Sequence, residues 1–172
     1  FTSAGQRCSA ARVLFVQADI ADKVIGMIAG AMAELVVGDP ALLSTDVGPV
    51  IDTDAKALLD AHAARMQGAA KFIAEARLGE DTAHGTFFAP RAWELQSLSQ
   101  LTRENFGPAL HVIRWNADQL DAVVDAINAT GFGLTLGIHS RIDETVERVI
   151  QRAKVGNVYV NRNQIGAVVG VQ

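Results

Sequence analysis

Three observations predict an α/β fold in which helices flank a mostly parallel sheet. The second half of the chain gives strand, helix, strand, helix and strand signals in that order, which is the pattern of parallel strands joined by crossover helices. The strand segments are near-continuous apolar runs, as expected where helices cover both faces of a sheet. The 172 residues are 49% hydrophobic and 20% charged, which suits a sizeable core in one domain or in one lobe of a larger protein.

A change of hydrophobic period marks the first strand and the first helix. The apolar, β-branched run at residues 12–17 predicts a buried strand. Asp19 is placed to cap the helix that follows. Apolar residues then recur at helical spacing to about Val36, and the Gly-Asp-Pro sequence at 38–40 ends the helix.

Three further segments complete the first half of the chain. A second helix is predicted over residues 52–68, opened by the Asp-Thr-Asp sequence at its start, and a strand over 71–75. Residues 78–86 predict a polar loop, and the sequence around Pro90 predicts extended structure.

The second half contains the strand and helix alternation itself. Its helices are opened by Asn116 and Asp143, and Gly131 stops the first of them. Ligands of such sheets bind beyond the carboxyl ends of the strands, so we expect the chemistry there. The three strands are predicted at residues 109–115, 134–139 and 156–161.

Composition and charge argue against several classes of protein. The net charge is −4 and no lysine or arginine cluster stands out, which argues against a nucleic-acid-binding face. No apolar run reaches the roughly 18 residues of a membrane span, and the N-terminus does not read as a signal peptide. The chain begins at Phe1 without methionine and ends in the apolar run 166–172, so we expect it to be part of a longer polypeptide.

Cys8, in the stretch Gly-Gln-Arg-Cys-Ser-Ala, has two interpretations. It is the single cysteine of the chain, which rules out an internal disulfide and fits a reducing compartment. A lone cysteine often packs as a small apolar residue. Here, however, Gly5 allows a close backbone approach, and a charge on Arg7 could favour the thiolate. If residues 4–11 form a helix, its first N–H groups would also favour a thiolate and bind an oxyanion.

The other chemically suggestive residues are weaker signals. The histidines lack the spacing of a metal site and are expected to be structural, whether exposed or hydrogen-bonded. The glycines of 131–137 lie between a helix and a strand, the reverse of a dinucleotide-binding loop. Residues 104–108 read either as a turn or as a carboxylate and a ring presented to a ligand by Glu104 and Phe106. The four histidines are His62, His84, His111 and His139.

Taken together, these sequences resemble the catalytic half of the aldehyde dehydrogenase superfamily, over essentially the whole chain. Several motifs in the right order are far more specific than any one of them. The matching segments are residues 5–8 (GQRC), 38–40 (GDP), 48–49 (GP), 104–108 (ENFGP), 128–135 (NATGFGLT) and 156–161 (GNVYVN).

Within that superfamily the chain looks like the pyrroline-5-carboxylate branch. The resemblance rests on Ser9 after the cysteine, on Asn-Arg-Asn at 161–163, and on the ending GAVVGVQ at 166–172. The ending is most similar to bifunctional proline utilization A flavoenzymes, in which a proline dehydrogenase half uses FAD and some members carry a DNA-binding segment. The branch oxidises glutamate γ-semialdehyde to glutamate, and it implies a cytoplasmic enzyme.

The resemblance implies a role for each candidate residue. Cys8 would add to the aldehyde carbon, its backbone N–H would hold the oxyanion, and hydride would pass to NAD to leave a thioester that water hydrolyses. Glu104 would bind the nicotinamide ribose, and Phe106 would pack near the nicotinamide. Ser9 would help to recognise the substrate carboxylate. No metal site is implied.

The resemblance also implies partners that these residues lack. The NAD-binding domain, a glutamate base and an oxyanion-hole asparagine would precede Cys8, while a carboxylate-anchoring loop and an assembly strand would follow Gln172. The intact parent would be a homo-oligomer, and residues 1–172 alone would have no dehydrogenase turnover. Three alternatives stay open: another semialdehyde dehydrogenase, a non-enzymatic interaction module, and a thioesterase with a histidine beside Cys8.

Overall fold

The computed structural model describes residues 1–165, which form six strands and four helices. Short 3₁₀ turns lie at Thr2–Gly5, Glu80–Ala83, Leu98–Gln100 and Ala117–Gln119. The strands are β1 (Val13–Gln17), β2 (Lys71–Glu75), β3 (Arg91–Leu95), β4 (Ala109–Trp115), β5 (Thr135–Ile138) and β6 (Asn157–Val160). The helices are α1 (Ala18–Ala33), α2 (Thr53–Ala69), α3 (Leu120–Ala129) and α4 (Asp143–Arg152).

The main sheet has the strand order β1-β4-β3-β2 and is mostly parallel, as predicted. Strand β4 pairs in parallel with both β1 and β3, whereas β2 joins β3 in antiparallel fashion. Strands β5 and β6 form a separate parallel pair. The expectation that the second half forms one sheet is therefore wrong. Since β1 and β3 already occupy both edges of β4, no edge is left on which β5 could pair.

Two apolar clusters cover the opposite faces of the main sheet. Side chains of α2, among them the fully buried Leu59 and Met66, pack with Trp93 and Ile113 on one face. On the other face, Ala21 of α1 packs against strand residues of β1 and β4. The covered faces account for the apolar character of the strands.

Helix boundaries agree with the sequence at some ends and differ at others. Asp52 is the N-cap of α2, and its Oδ1 accepts a hydrogen bond of 2.7 Å from Ala55 N. Asp19, however, is not the cap of α1. Gln17 occupies that position, and its Nε2 donates to Oδ2 of Asp19, which lies in the first turn of the helix. Helix α1 also ends at Ala33 rather than near Val36, because Val36 N turns to Asp46 Oδ2 at 2.9 Å.

The ends of α3 follow the predicted signals. Asn116 precedes a 3₁₀ turn that runs into the helix, and its N–H donates to Gln119 Oε1 at 3.1 Å. Gly131 has a φ of +75°, which stops the helix at the predicted glycine.

Among residues 1–165, no helix is both long enough and apolar enough to cross a membrane.

Candidate active site

Cys8 lies at the tip of a tight turn just before β1. The N–H of Ala10 donates to the Arg7 carbonyl at 3.0 Å, which closes the turn, and the cysteine is exposed. Residues 4–11 do not form the helix considered above. Ser3, Ala4 and Gly5 all have positive φ angles near +60°, a conformation that a right-handed helix excludes. We call residues 5–9 the cysteine loop.

The cysteine loop packs backbone against backbone on the turn formed by residues 104–108. A Cβ atom on Gly5 would lie 2.3 Å from the Gly107 carbonyl oxygen, and one on Gly107 would lie 2.5 Å from Leu59 Cδ1. The Gly5 contact is with backbone, so no side chain fits there and glycine is required, whereas a side chain at Gly107 would need the Leu59 side chain to move. The close approach expected at Gly5 is confirmed, and it brings the segment that carries Cys8 against the segment that carries Glu104 and Phe106.

Arg12 joins these two segments, and sequence reasoning missed it. Its Nη1 donates to the Gly5 carbonyl at 2.7 Å and its Nη2 to the Arg7 carbonyl at 3.1 Å. Its Nε lies 3.4 Å from Glu104 Oε1, and its guanidinium carbon lies 4.6 Å from the centre of the Phe106 ring. The available signal was a lone cation at the start of a buried apolar strand, where a charge needs partners.

Arg12, rather than Arg7, is the cation that acts on the site. Burial lowers the pKa of the Arg12 guanidinium, while the charges of Glu104 and Cys8 oppose that shift. The Arg7 side chain is exposed and forms no hydrogen bond or ion pair within residues 1–165. The cation that contacts both the cysteine loop and Glu104 is therefore Arg12, and not the Arg7 that the sequence suggested.

The main-chain N–H of Cys8 donates no hydrogen bond to any residue in the range 1–165. Free N–H groups next to a nucleophile are what an oxyanion requires. Ser9 is only 7% exposed, and its carbonyl accepts a hydrogen bond of 3.3 Å from Gln164 Nε2. The ending at 166–172 on which the branch resemblance partly rests lies outside the described residues.

A cavity of about 500 Å³ adjoins the cysteine loop. Gln6, two residues before the cysteine, ties the loop to the start of α2 because its Oε1 accepts from Ile51 N at 2.8 Å. The Glu104 side chain is 40% exposed and Phe106 is 44% exposed, so a carboxylate and a ring face the opening. A wall with a partly exposed carboxylate, an aromatic ring and aliphatic groups has the chemistry to take a ribose joined to a flat heterocycle. The lining includes Gln6, Ile51, Leu58, Glu104 and Phe106.

Two of the four histidines form a buried hydrogen-bonded pair instead of a catalytic dyad. The Nε2 atoms of His62 and His111 lie 2.8 Å apart. Arg65 Nη2 donates to His62 Nδ1 at 2.9 Å, so His62 carries its proton on Nε2. That N–H donates a hydrogen bond to Nε2 of His111. His111 in turn donates from Nδ1 to the Arg12 carbonyl at 2.9 Å.

The pair is electrostatically unusual, and neither of its rings hydrogen-bonds to Cys8. Burial lowers the pKa of both His62 and His111 to about 4, and for His62 the neighbouring His111 and Arg65 act in the same direction. His84 and His139 are exposed. No histidine within residues 1–165 hydrogen-bonds to Cys8, so the thioesterase alternative lacks its base there. Nor do three or more metal-ligating side chains come together in that range.

Comparison with known proteins gives a consistent result. The model of the aldehyde dehydrogenase family matches residues 1–171. The bifunctional protein PutA of Escherichia coli K12 is 52% identical over 177 aligned residues, which cover all of this chain and 13% of that protein. A crystal structure of a Bradyrhizobium japonicum proline utilization A variant has 56% identity and a TM-score of 0.95, and the match covers all of this chain and 17% of that one.

A further solved structure matches as well. The 1-pyrroline-5-carboxylate dehydrogenase from Thermus, solved with bound NAD, has 30% identity and a TM-score of 0.87 over 98% of this chain. The match covers 32% of the Thermus chain. The chain therefore spans a third or less of each of these relatives.

Proposed function

The chain belongs to the aldehyde dehydrogenase family, and from that premise we propose that it is the nucleophile-bearing part of an NAD-dependent L-glutamate γ-semialdehyde dehydrogenase in proline catabolism. One observation carries the chemical part of the proposal: the Gly5–Gly107 backbone contact and Arg12 join the loop of an exposed cysteine to the turn that carries a partly exposed carboxylate and an exposed ring. The substrate assignment is supported by the relatives whose names state 1-pyrroline-5-carboxylate dehydrogenase or proline utilization.

The reaction begins at the sulfur of Cys8. The thiolate adds to the aldehyde carbon, and the electron pair of the C=O bond moves to oxygen. The N–H of Cys8, which donates to no residue in the range 1–165, is proposed to donate to that oxyanion. After oxidation the acyl group stays on the sulfur as a thioester, and water releases it as a carboxylate. The exposed position of Cys8 leaves room for both the aldehyde and the water.

Glu104 and Phe106 are proposed to hold the nicotinamide riboside end of NAD. The Glu104 carboxylate accepts hydrogen bonds from ribose hydroxyls, and the Phe106 ring packs beside the flat base. NAD, when bound, supplies the hydride acceptor for the oxidation. Ser9 is proposed to contact the substrate carboxylate. Because Ser9 is buried, it can contact only a ligand that lies directly beside Cys8.

The rest of the machinery is proposed to come from the same polypeptide. No dinucleotide-binding sequence is found in the 172 residues, so an NAD-binding domain and the general base are expected from other segments of the parent. Residues 1–172 purified alone are accordingly expected to have no dehydrogenase turnover. NADH formation at the rate of the full-length protein would contradict this expectation.

The test is a substrate profile of the full-length protein. NADH formation is followed by absorbance with L-glutamate γ-semialdehyde, with succinic semialdehyde and with a simple aliphatic aldehyde. We expect the highest kcat/KM with glutamate semialdehyde and loss of turnover in the Cys8→Ala variant. A preference for another semialdehyde would replace the substrate assignment and keep the family chemistry. Full turnover in Cys8→Ala would overturn the proposed mechanism.

A further inference from the structure

Arg12 is anchored at both its backbone and its side chain. Its carbonyl accepts from His111 N at 3.0 Å and from His111 Nδ1 at 2.9 Å, which fixes the start of β1 against β4. Its side chain is 16% exposed and reaches two carbonyls of the cysteine loop. The guanidinium therefore has one well-defined position from which to contact Glu104.

An arginine suits this position better than any other cation. The planar guanidinium carries five N–H donors in a fixed fork, and here they are divided among the Gly5 carbonyl, the Arg7 carbonyl and Glu104. Its central carbon also lies over the Phe106 ring. A lysine ammonium at this position would keep the charge but would lose the fork of donors.

The contact with Glu104 leaves part of its carboxylate available. Arg12 Nε approaches only Oε1, and Oε2 accepts no hydrogen bond from any residue in the range 1–165. Because the Glu104 side chain is 40% exposed, it would sample several rotamers without a partner. Arg12 thus restricts the carboxylate while it leaves an oxygen for a ligand.

We propose that Arg12 is a positioning residue for NAD binding, which acts by holding Glu104 in the orientation that accepts the ribose hydroxyls. This rests on the proposed function, since it assumes that Glu104 binds the cofactor. Arg12 itself touches neither NAD nor the aldehyde in this arrangement. Its effect on cofactor affinity should therefore disappear when Glu104 can no longer act as a carboxylate.

A double-mutant cycle on the full-length protein tests the proposal, with the dissociation constant for NAD measured by calorimetry. The variants are Arg12→Met, Glu104→Gln and the two combined. We expect each single variant to bind NAD about tenfold more weakly, the scale of a lost hydrogen bond to a charged group. The combined variant should match the weaker single variant within about threefold, because independent sites would multiply their effects.

A matched control is Arg148→Met, which removes another arginine–carboxylate contact, of 2.7 Å to Asp121, between α4 and α3. It should leave NAD affinity unchanged. If Arg12→Met does not fold, as judged by its melting curve, Arg12→Lys replaces it in the same cycle. Its loss of affinity should likewise vanish in the Glu104→Gln background.

The outcomes separate the inference from the proposed function. If Glu104→Gln weakens NAD binding but the Arg12 variant does not, the inference is wrong and the proposed function stands. The inference is also wrong if the combined variant is weaker than both singles by more than about threefold. If the wild type binds no NAD, or if Glu104→Gln binds NAD as tightly as the wild type does, both the inference and the proposed function are wrong.

Discussion

The buried histidine pair makes the stability of this domain depend on pH in a defined window. His62 and His111 share one hydrogen bond, and the chain of donors from Arg65 to the Arg12 carbonyl uses each imidazole in its neutral form. A second proton on either ring would face another histidine or an arginine as its neighbour. Burial and these neighbours lower the pKa of both to about 4, from an ordinary value of 6.5.

The sign and size of the effect follow from linkage. Because the folded pKa lies below the unfolded one, the unfolded chain binds more protons between about pH 6.5 and pH 4, and stability falls as the pH falls through that window. Between pH 7 and pH 5 each histidine lowers the free energy of unfolding by about 2 kcal/mol. The pair shares a proton site, so we expect a combined loss of about 2 to 4 kcal/mol.

Hydrogen exchange of the full-length protein measures this loss locally. Protection of the β4 amides, corrected for the intrinsic pH dependence of exchange, should drop by that amount between pH 7 and pH 5. The drop should persist when the exposed His84 and His139 are both replaced by glutamine, and it should vanish in His62→Gln/His111→Gln. Equal β4 protection at the two pH values in the wild type would refute the reasoning.

Three further predictions concern backbone packing, the cofactor residue and a helix cap. Gly5→Ala should lower the free energy of unfolding by at least about 1–2 kcal/mol from the positive φ of Gly5 alone, as measured by melting curves. It should also remove most of the activity in NADH assays, because the new Cβ would meet the Gly107 carbonyl at 2.3 Å. Glu104→Gln should raise the KM for NAD about tenfold while the rate of Cys8 alkylation without NAD stays the same. Asp52→Ala should remove the cap of α2 and about 1 kcal/mol, measured by denaturant unfolding, whereas Asp54→Ala should cost less because Asp54 makes no side-chain hydrogen bond within residues 1–165.

Local patterns predicted most of the elements, because hydrophobic period and helix caps are properties of short segments. The strand at 109–115 and the helix opened by Asp52 are found almost as predicted. Gly131 stops its helix through a positive φ that glycine adopts without strain. The general fold class, a mostly parallel sheet with helices, is confirmed for the same reason.

Tertiary contacts decided what the sequence did not reveal. Nothing in the apolar run at 134–139 shows that β4 already has two partners, so the division into two sheets was missed. The same holds for the N-terminal segment, where contact between Gly5 and Gly107 imposes positive φ angles in place of a helix. Both depend on residues about a hundred positions apart.

The candidate site divides in a similar way. Cys8, Glu104 and Phe106 were identified because their short motifs resemble a family pattern, and the fold brings the segments that carry them together. Arg12 belongs to no such motif and is defined by contacts to Gly5 and Glu104. Its role depends on a long-range geometry that residue spacing does not encode.

The most direct test of the nucleophile is the mass of the peptide that contains Cys8. The full-length protein is mixed with NAD and aldehyde, quenched in acid within one turnover, digested and analysed by mass spectrometry. An acyl group from the substrate should be found on Cys8 and should be absent without NAD. An acyl group carried by any other residue, with Cys8 unmodified during turnover, would contradict the assignment.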